Sequence, residues 1–246
     1  MRVIVFVRAL FRQFGVGLRL LLSLLFPSLC LGCGAEGEQL CECCFSEVIS
    51  GGVEKGFYAD LLKVSTFVAA ARYRAVARLC VLSAKHDGQA DPQKWTEVVG
   101  QYLAERLWES IDCRGALYVV PAPSGLARRW SGRYVAAELS HEVAKSLVEI
   151  ARQLGESCRV EVVCALQLSA LRGSQAGRSA AQRNLRSGQI SAFDGVLPHS
   201  ARVVLIDDVV ASGGTLKGCV NALRGAGAAV VAVAVACAST QAATVG

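Results

Sequence analysis

The sequence predicts an α/β domain in which a parallel sheet is covered by helices on both faces. Three observations predict it. From residue 66 onward, short apolar runs alternate with stretches of helical spacing, the pattern of successive strand–helix–strand units. The runs "ALYVV", "VVLI" and "VVAVAVAC" are continuously apolar, as expected of strands buried on both sides. Hydrophobic residues make up 53% of the 246 positions, enough for one ordinary domain with a small appendage.

Taken in order, the chain begins with Arg2, Arg8, Arg12 and Arg19 around "GLRLLLSLLF". Arg19 interrupts the apolar run, Pro27 ends it, and no small-x-small cleavage site follows, so a secretory signal is not expected. The run also falls short of the roughly 20 apolar residues that span a bilayer. An amphipathic helix over 1–28 is expected, packed on the body of the protein, with peripheral membrane contact as the alternative. Cytoplasmic location without stable membrane insertion follows as the default. A cysteine-rich segment occupies 29–48. The poorly periodic "SEVISGGVEKGFYADLLK" (46–63) reads as its connection, through a linker over 49–65, to a domain spanning 66–246.

Within that domain "TFVAAARY" (66–73) reads as a strand and "RAVARLCVLSAKH" (74–86) as a helix. "DPQKWTEVVGQYLAERLWES" (91–110) opens as a helix should, with Asp91 capping and Pro92 in the first turn. A short buried strand over 116–123 leads to the long helix "RYVAAELSHEVAKSLVEIARQLG" (133–155). "RVEVVCAL" (159–166) reads as a strand, 177–188 as a short basic helix and "QISAF" (189–193) as a brief strand. The chain closes with a strand (201–209), a helix (214–228) and a strand (230–237).

In "VVLIDDVVASGGT" (203–215) a branched apolar strand ends in two adjacent carboxylates and then in small residues ahead of a helix. Ligands of parallel sheets bind beyond the carboxyl ends of the strands, where Asp207 and Asp208 are expected. The turn from Ala211 to Thr215 would converge backbone N–H groups on an anion, aided by the helix dipole. Gly213 and Gly214 allow close approach, and the Ser212 and Thr215 hydroxyls can donate to phosphate oxygens. The carboxylates can accept hydrogen bonds from a vicinal diol, so a sugar phosphate fits both halves. A simple helix cap by Ser212 or Thr215 explains neither the acidic pair nor the doubled glycine. A P-loop fits less well, since Lys217 is displaced from the glycines.

The formal charge of +6 is carried mostly by Arg, which suits phosphate or carboxylate partners; charge alone does not separate phosphorylated small molecules from nucleic acid. His86, His141 and His199 are isolated and read as surface or helix residues, and Lys85, which could reach the crevice, as a solvated lysine at a helix end.

The 203–215 stretch resembles the signature by which type I phosphoribosyltransferases bind phosphoribosyl pyrophosphate (PRPP). The resemblance implies that Asp207 and Asp208, as catalytic residues, hold the ribose 2- and 3-hydroxyls. Ala211, Ser212, Gly213, Gly214 and Thr215 would cradle the 5-phosphate, Ala211 standing where the family often has Thr. In "VVPAPSGLARRWSGRY" (119–134) it implies a pyrophosphate-contacting loop with Ser124, Arg128, Arg129 and Arg133, stiffened by Pro121 and Pro123. "LRGSQAGRSAAQRN" (171–184) adds Arg178 and Arg183 on a stretch that could close over the reaction. For any single arginine here a solvated surface role is the alternative.

Eleven cysteines without an expected export signal read as thiols rather than disulfides. Cys80, Cys113, Cys158, Cys164, Cys219 and Cys237 are scattered among apolar neighbours and read as small core residues. "CLGCGAEGEQLCECC" presents Cys30-x2-Cys33, then Cys41-x2-Cys44. Four thiolates from two such knuckles complete a closed tetrahedral zinc shell, which makes the metal structural. Unligated thiols or a redox pair are the alternatives, and Cys43 substitutes if the register differs.

A cysteine knuckle ahead of a phosphoribosyltransferase-like domain is similar to the ComF family, named for a competence protein of DNA uptake. "LFPSLCLGCG", "LCECC", "ARYRAVARL", "VVPAPS", "ARRWSGRY" and "SQAGRSAAQRN" occur in family order. The chain departs from the family in lacking a further Cys pair and in having "SGRYVAAEL" where Arg-Gly-Phe-Asn is usual. The resemblance implies Mg²⁺-bound PRPP as substrate and transfer of its phosphoribosyl group to a nitrogen nucleophile. The rival expectation is a PRPP-binding accessory to DNA uptake that touches single-stranded DNA. Its aromatic content of 7% offers little stacking surface for that role.

Overall fold

A computed structural model describes residues 28–51, 55–86, 91–124, 134–168 and 190–239. The expected N-terminal helix and the basic helix over 177–188 lie outside these residues. After the cysteine loop come α1 (Glu42–Val48), α2 (Lys55–Leu62), β1 (Thr66–Arg72), α3 (Ala75–His86) and α4 (Gln93–Ser110). They are followed by β2 (Gly115–Pro121), α5 (Val135–Leu154), β3 (Cys158–Val162), β4 (Leu166–Leu168) and β5 (Ile190–Ala192). The unit β6 (Arg202–Val210), α6 (Gly214–Gly225) and β7 (Ala229–Ala238) closes the described chain.

Five strands form the parallel sheet expected, in the order β1-β7-β6-β2-β3, while β4 and β5 make a separate antiparallel ribbon. The continuous apolar runs occupy its centre, where Val203 to Ile206 and Ala232 to Ala236 are all buried. Because side chains alternate across a strand, these residues divide between two cores. Val204 and Ile206 pack with the cysteine segment, α3, α4 and α5; Val203 and Leu205 pack with α2 and α6.

The elements differ from the sequence reading at three places. The connecting stretch contains α2, whose Tyr58 and Leu62 are both 2% exposed. Its helicity rests on packing against β1 and α6 rather than on internal periodicity. The strand expected over 159–166 stops at Val162, turns through an Ala165 N–H to Val163 carbonyl bond, and resumes as β4 in the ribbon. Strand β6 runs on to Val210 because β7 continues beside it, pairing Val209 with Cys237 and Val210 with Ala238. At α4, the Asp91 carboxylate accepts the Gln93 N–H at 3.0 Å, so the acid caps from one position before the helix-preceding Pro92. Among the described residues, no helix is long and apolar enough to cross a membrane.

Candidate functional site

Strands β2 and β6 are neighbours, yet α5 leaves β2 toward one core and α6 leaves β6 toward the other. The carboxyl ends of these two strands are therefore the switch point of the sheet, where a crevice opens between diverging connections. The Ala122 N–H donates to the Ile206 carbonyl at 2.7 Å, holding the chain that leaves β2 against β6. Tyr134, just ahead of α5, donates its hydroxyl to the Ala122 carbonyl at 2.7 Å. Ser124 follows, half-buried at the same end of the sheet.

Asp207 and Asp208 lie in the second half of β6, both half-buried. The pleat treats them unequally. Asp207 lines an open depression with Val209 to Leu216, on the α6 side. Asp208 turns toward α3, where its Oδ1 meets Lys85 Nζ at 2.8 Å. The Asp208 N–H donates back to Asp207 Oδ1 at 2.8 Å, steadying the first carboxylate. Two core thiols register this division. Burial, then the Asp207 charge, pushes the Cys219 thiol up; burial, then Cys80 and Asp208, raises Cys237 to about 12 despite Lys85. Both are neutral core thiols, as are Cys80 and Cys113, each raised to about 12 mainly by burial. Cys164 departs from the expected core role, being exposed.

Beyond Val210 the chain turns through Ala211, Ser212 and Gly213 into the 12-residue α6. Gly213 has φ +76°, and a Cβ there would lie 2.6 Å from Leu61 Cδ2. Glycine is thus needed both for the left-handed backbone and for the close approach of α2. Among the described residues, the amides of Ser212, Gly213, Gly214 and Thr215 donate to no protein acceptor, while the Gly213 carbonyl receives the Lys217 N–H at 2.8 Å. Four donors at a positive helix end are therefore turned to one depression. Tyr58 braces the turn from behind: its hydroxyl lies 2.9 Å from the Ala211 carbonyl and 2.8 Å from the Ser239 carbonyl, with one proton to share. The ring is stacked on Phe67, 4.9 Å between centroids.

Near the N-terminus the Sγ atoms of Cys30, Cys33, Cys41 and Cys44 all lie within 4.8 Å of one another. Cys41 Sγ is 3.7 Å from both Cys30 and Cys33. A tetrahedral ion with metal–sulfur bonds of about 2.3 Å would set such pairs about 3.8 Å apart, so the set fits. Cys43 is exposed and outside the cluster. Against the opposing effect of burial, N–H bonds from Cys41, Cys33 and Gly32 bring the Cys30 thiol down to about 6. A Cβ on Gly32 would come within 2.7 Å of Val76 Cγ1 and 2.8 Å of Cys44 Sγ, so the cysteine loop sits directly on the first turn of α3.

The structure brings together Asp207, Asp208, Ser124 and the Ala211–Thr215 turn at one end of the sheet. Arg128, Arg129, Arg133, Arg178 and Arg183 lie outside the described residues. Sequence reading missed Tyr58 and Leu61, and it read Lys85 as solvated although the residue reaches Asp208. Their roles arise from partners far along the chain, Tyr58 being 153 residues from Ala211, and no local pattern signals such contacts.

Residues 137–244 match the family model described as the phosphoribosyl transferase domain, a stretch that contains β6, the acidic pair, the turn, α6 and β7. No curated protein matches the sequence. Among solved structures, the allosteric regulatory enzyme of purine biosynthesis aligns at 19% identity and a TM-score of 0.42, over 64% of this chain and 30% of that one. A hypoxanthine phosphoribosyltransferase from Staphylococcus aureus aligns at 14% identity and 0.35, over 58% of this chain and 61% of that one. For an adenine phosphoribosyltransferase from Thermoanaerobacter pseudethanolicus the values are 15% and 0.31, over 59% and 71%. The chain thus spans less than two thirds of the length of the first two. Over residues 137–244 the chain is thus similar to the phosphoribosyl transferase domain.

Proposed function

We propose that the protein binds Mg²⁺-PRPP at the β6–α6 junction and transfers its phosphoribosyl group to a nitrogen nucleophile, releasing pyrophosphate. One observation carries this reading: a strand-end acidic pair leads directly into a turn whose amides, among the described residues, donate to no protein acceptor. The 5-phosphate would take those amides and the Ser212 and Thr215 hydroxyls; the ribose 2- and 3-hydroxyls would donate to the carboxylates. In the transfer, the bond from the anomeric carbon to pyrophosphate breaks and a carbon–nitrogen bond forms, while the proton on nitrogen passes to solvent. The carbon becomes oxocarbenium-like on the way, so the protein contributes chiefly position and charge. Mg²⁺ takes six oxygens and keeps several waters. The strand end supplies two carboxylates, one already paired with Lys85, so the ion would be held mainly by substrate oxygens.

The four-cysteine cluster fits a structural Zn²⁺ held by Cys30, Cys33, Cys41 and Cys44. Its position ahead of the transferase-type domain supports placement in the ComF family. Pyrophosphate release measured with Mg²⁺-PRPP across a panel of purine, pyrimidine and amine acceptors tests the catalytic step. Release with at least one acceptor is expected. Silence across the panel, with PRPP still bound in calorimetry, would overturn catalysis and leave a PRPP-binding accessory protein.

A further inference from the structure

Two adjacent carboxylates are a poor reception for a polyanion. PRPP carries a phosphate and a pyrophosphate, and an ionised acidic pair would repel both unless part of its charge were cancelled. The structure supplies a cation at that place. Lys85 Nζ lies 2.8 Å from Asp208 Oδ1, with side chains only 16% and 15% exposed. Helix α3, which carries it, is seated in the core through Ala77, Cys80, Val81 and Ala84. The lysine, in the last turn, is thus carried by a helix anchored in the core, and its partial exclusion from solvent spares the pair much of the screening that weakens surface ion pairs.

We propose that Lys85 is a positioning residue of the PRPP site. It holds Asp208 against α3 and cancels its charge, leaving Asp207, on the side of the α6 depression, as the principal acceptor for the ribose diol. This rests on the PRPP reading and adds to it a division of labour between the two acids. An ammonium has three donors, of which Asp208 takes one, so the same lysine offers hydrogen bonds to an anion entering between β2 and β6.

The test is calorimetric titration of Mg²⁺-PRPP and, separately, ribose 5-phosphate into the full chain and its variants. Lys85→Met should weaken PRPP binding by about tenfold or more, a coupling of the size seen for contacting charged groups. Ribose 5-phosphate, with fewer charges, should lose distinctly less. Lys85→Arg should stay within about threefold of the parent, since the charge is kept. Lys85→Met combined with Asp208→Asn should recover part of the loss, because removing the anion removes the need for its cation. A merely structural lysine would weaken both ligands alike and show no such recovery, and that result would overturn the proposal. If Lys85→Met does not fold, Lys85→Gln and the double variant carry the same comparison. Failure of the parent protein to bind PRPP would overturn the site reading itself. Normal PRPP binding by a folded Lys85→Met would overturn only the role of the lysine.

Discussion

Asp207→Asn is expected to weaken Mg²⁺-PRPP binding by roughly ten- to a hundredfold, and the Asp207→Asn/Asp208→Asn double variant by more. A hydrogen bond from a hydroxyl to a charged acceptor contributes about 1.5–3 kcal/mol, which spans that range for one bond and exceeds it for two. Asp207 should matter more than Asp208, because it lines the depression beside the turn while Asp208 is engaged with Lys85. Folding should be little disturbed: Asp207 is half-buried and asparagine keeps its shape. Calorimetry beside a thermal melt separates the two effects. Unchanged PRPP affinity in a folded double variant would reject the assignment of the acidic pair.

The largest effect on stability is expected at the other end of the chain. Cys44→Ser removes a 2%-exposed ligand from the cluster. Bound zinc should fall from a single ion per chain toward none, whereas Cys43→Ser, outside the cluster, should leave it unchanged. Structural zinc sites of this kind contribute about 10–16 kcal/mol of apparent binding energy in isolated peptides, and a share of that becomes folding energy here. The 28–50 segment contributes Leu31, Leu40 and Val48 to the core on the α3–α4 face of the sheet. Without metal that segment should lose amide protection first, followed by the first turn of α3, against which Gly32 rests. Metal analysis with hydrogen exchange reads both. Retention of a full complement of zinc in Cys44→Ser would contradict the four-cysteine site.

The sheet was legible because its strands are written as uninterrupted apolar runs, and burial on both faces is what such runs encode. The site was legible for the same reason that it is specific. An acidic pair followed by small residues makes no sense as core, so its placement at a strand end could be read from 203–215 alone. The cysteine pairs were equally local, and the spacing that brings four sulfurs together lies within fifteen residues.

What was not legible depends on distance along the chain. The α2 segment is weakly patterned and gains its role from Tyr58 and Leu61 meeting the turn after β6. Lys85 looked like an ordinary helix-end lysine, and its partner lies on a strand more than a hundred residues later. The unequal orientation of Asp207 and Asp208 follows from the pleat, but only once β6 is known to continue past them to Val210. The sequence reading ended that strand at residue 209, one short of Val210.

The central claim is a location: a sugar phosphate with its 5-phosphate in the 211–215 turn and its diol at the β6 acids. A crystal structure of the protein with Mg²⁺-PRPP tests it most directly. The account predicts phosphate oxygens about 3 Å from the amides of Ser212 to Thr215, with a ribose hydroxyl on the Asp207 carboxylate. PRPP bound elsewhere on the molecule, with those amides facing only water, would contradict it.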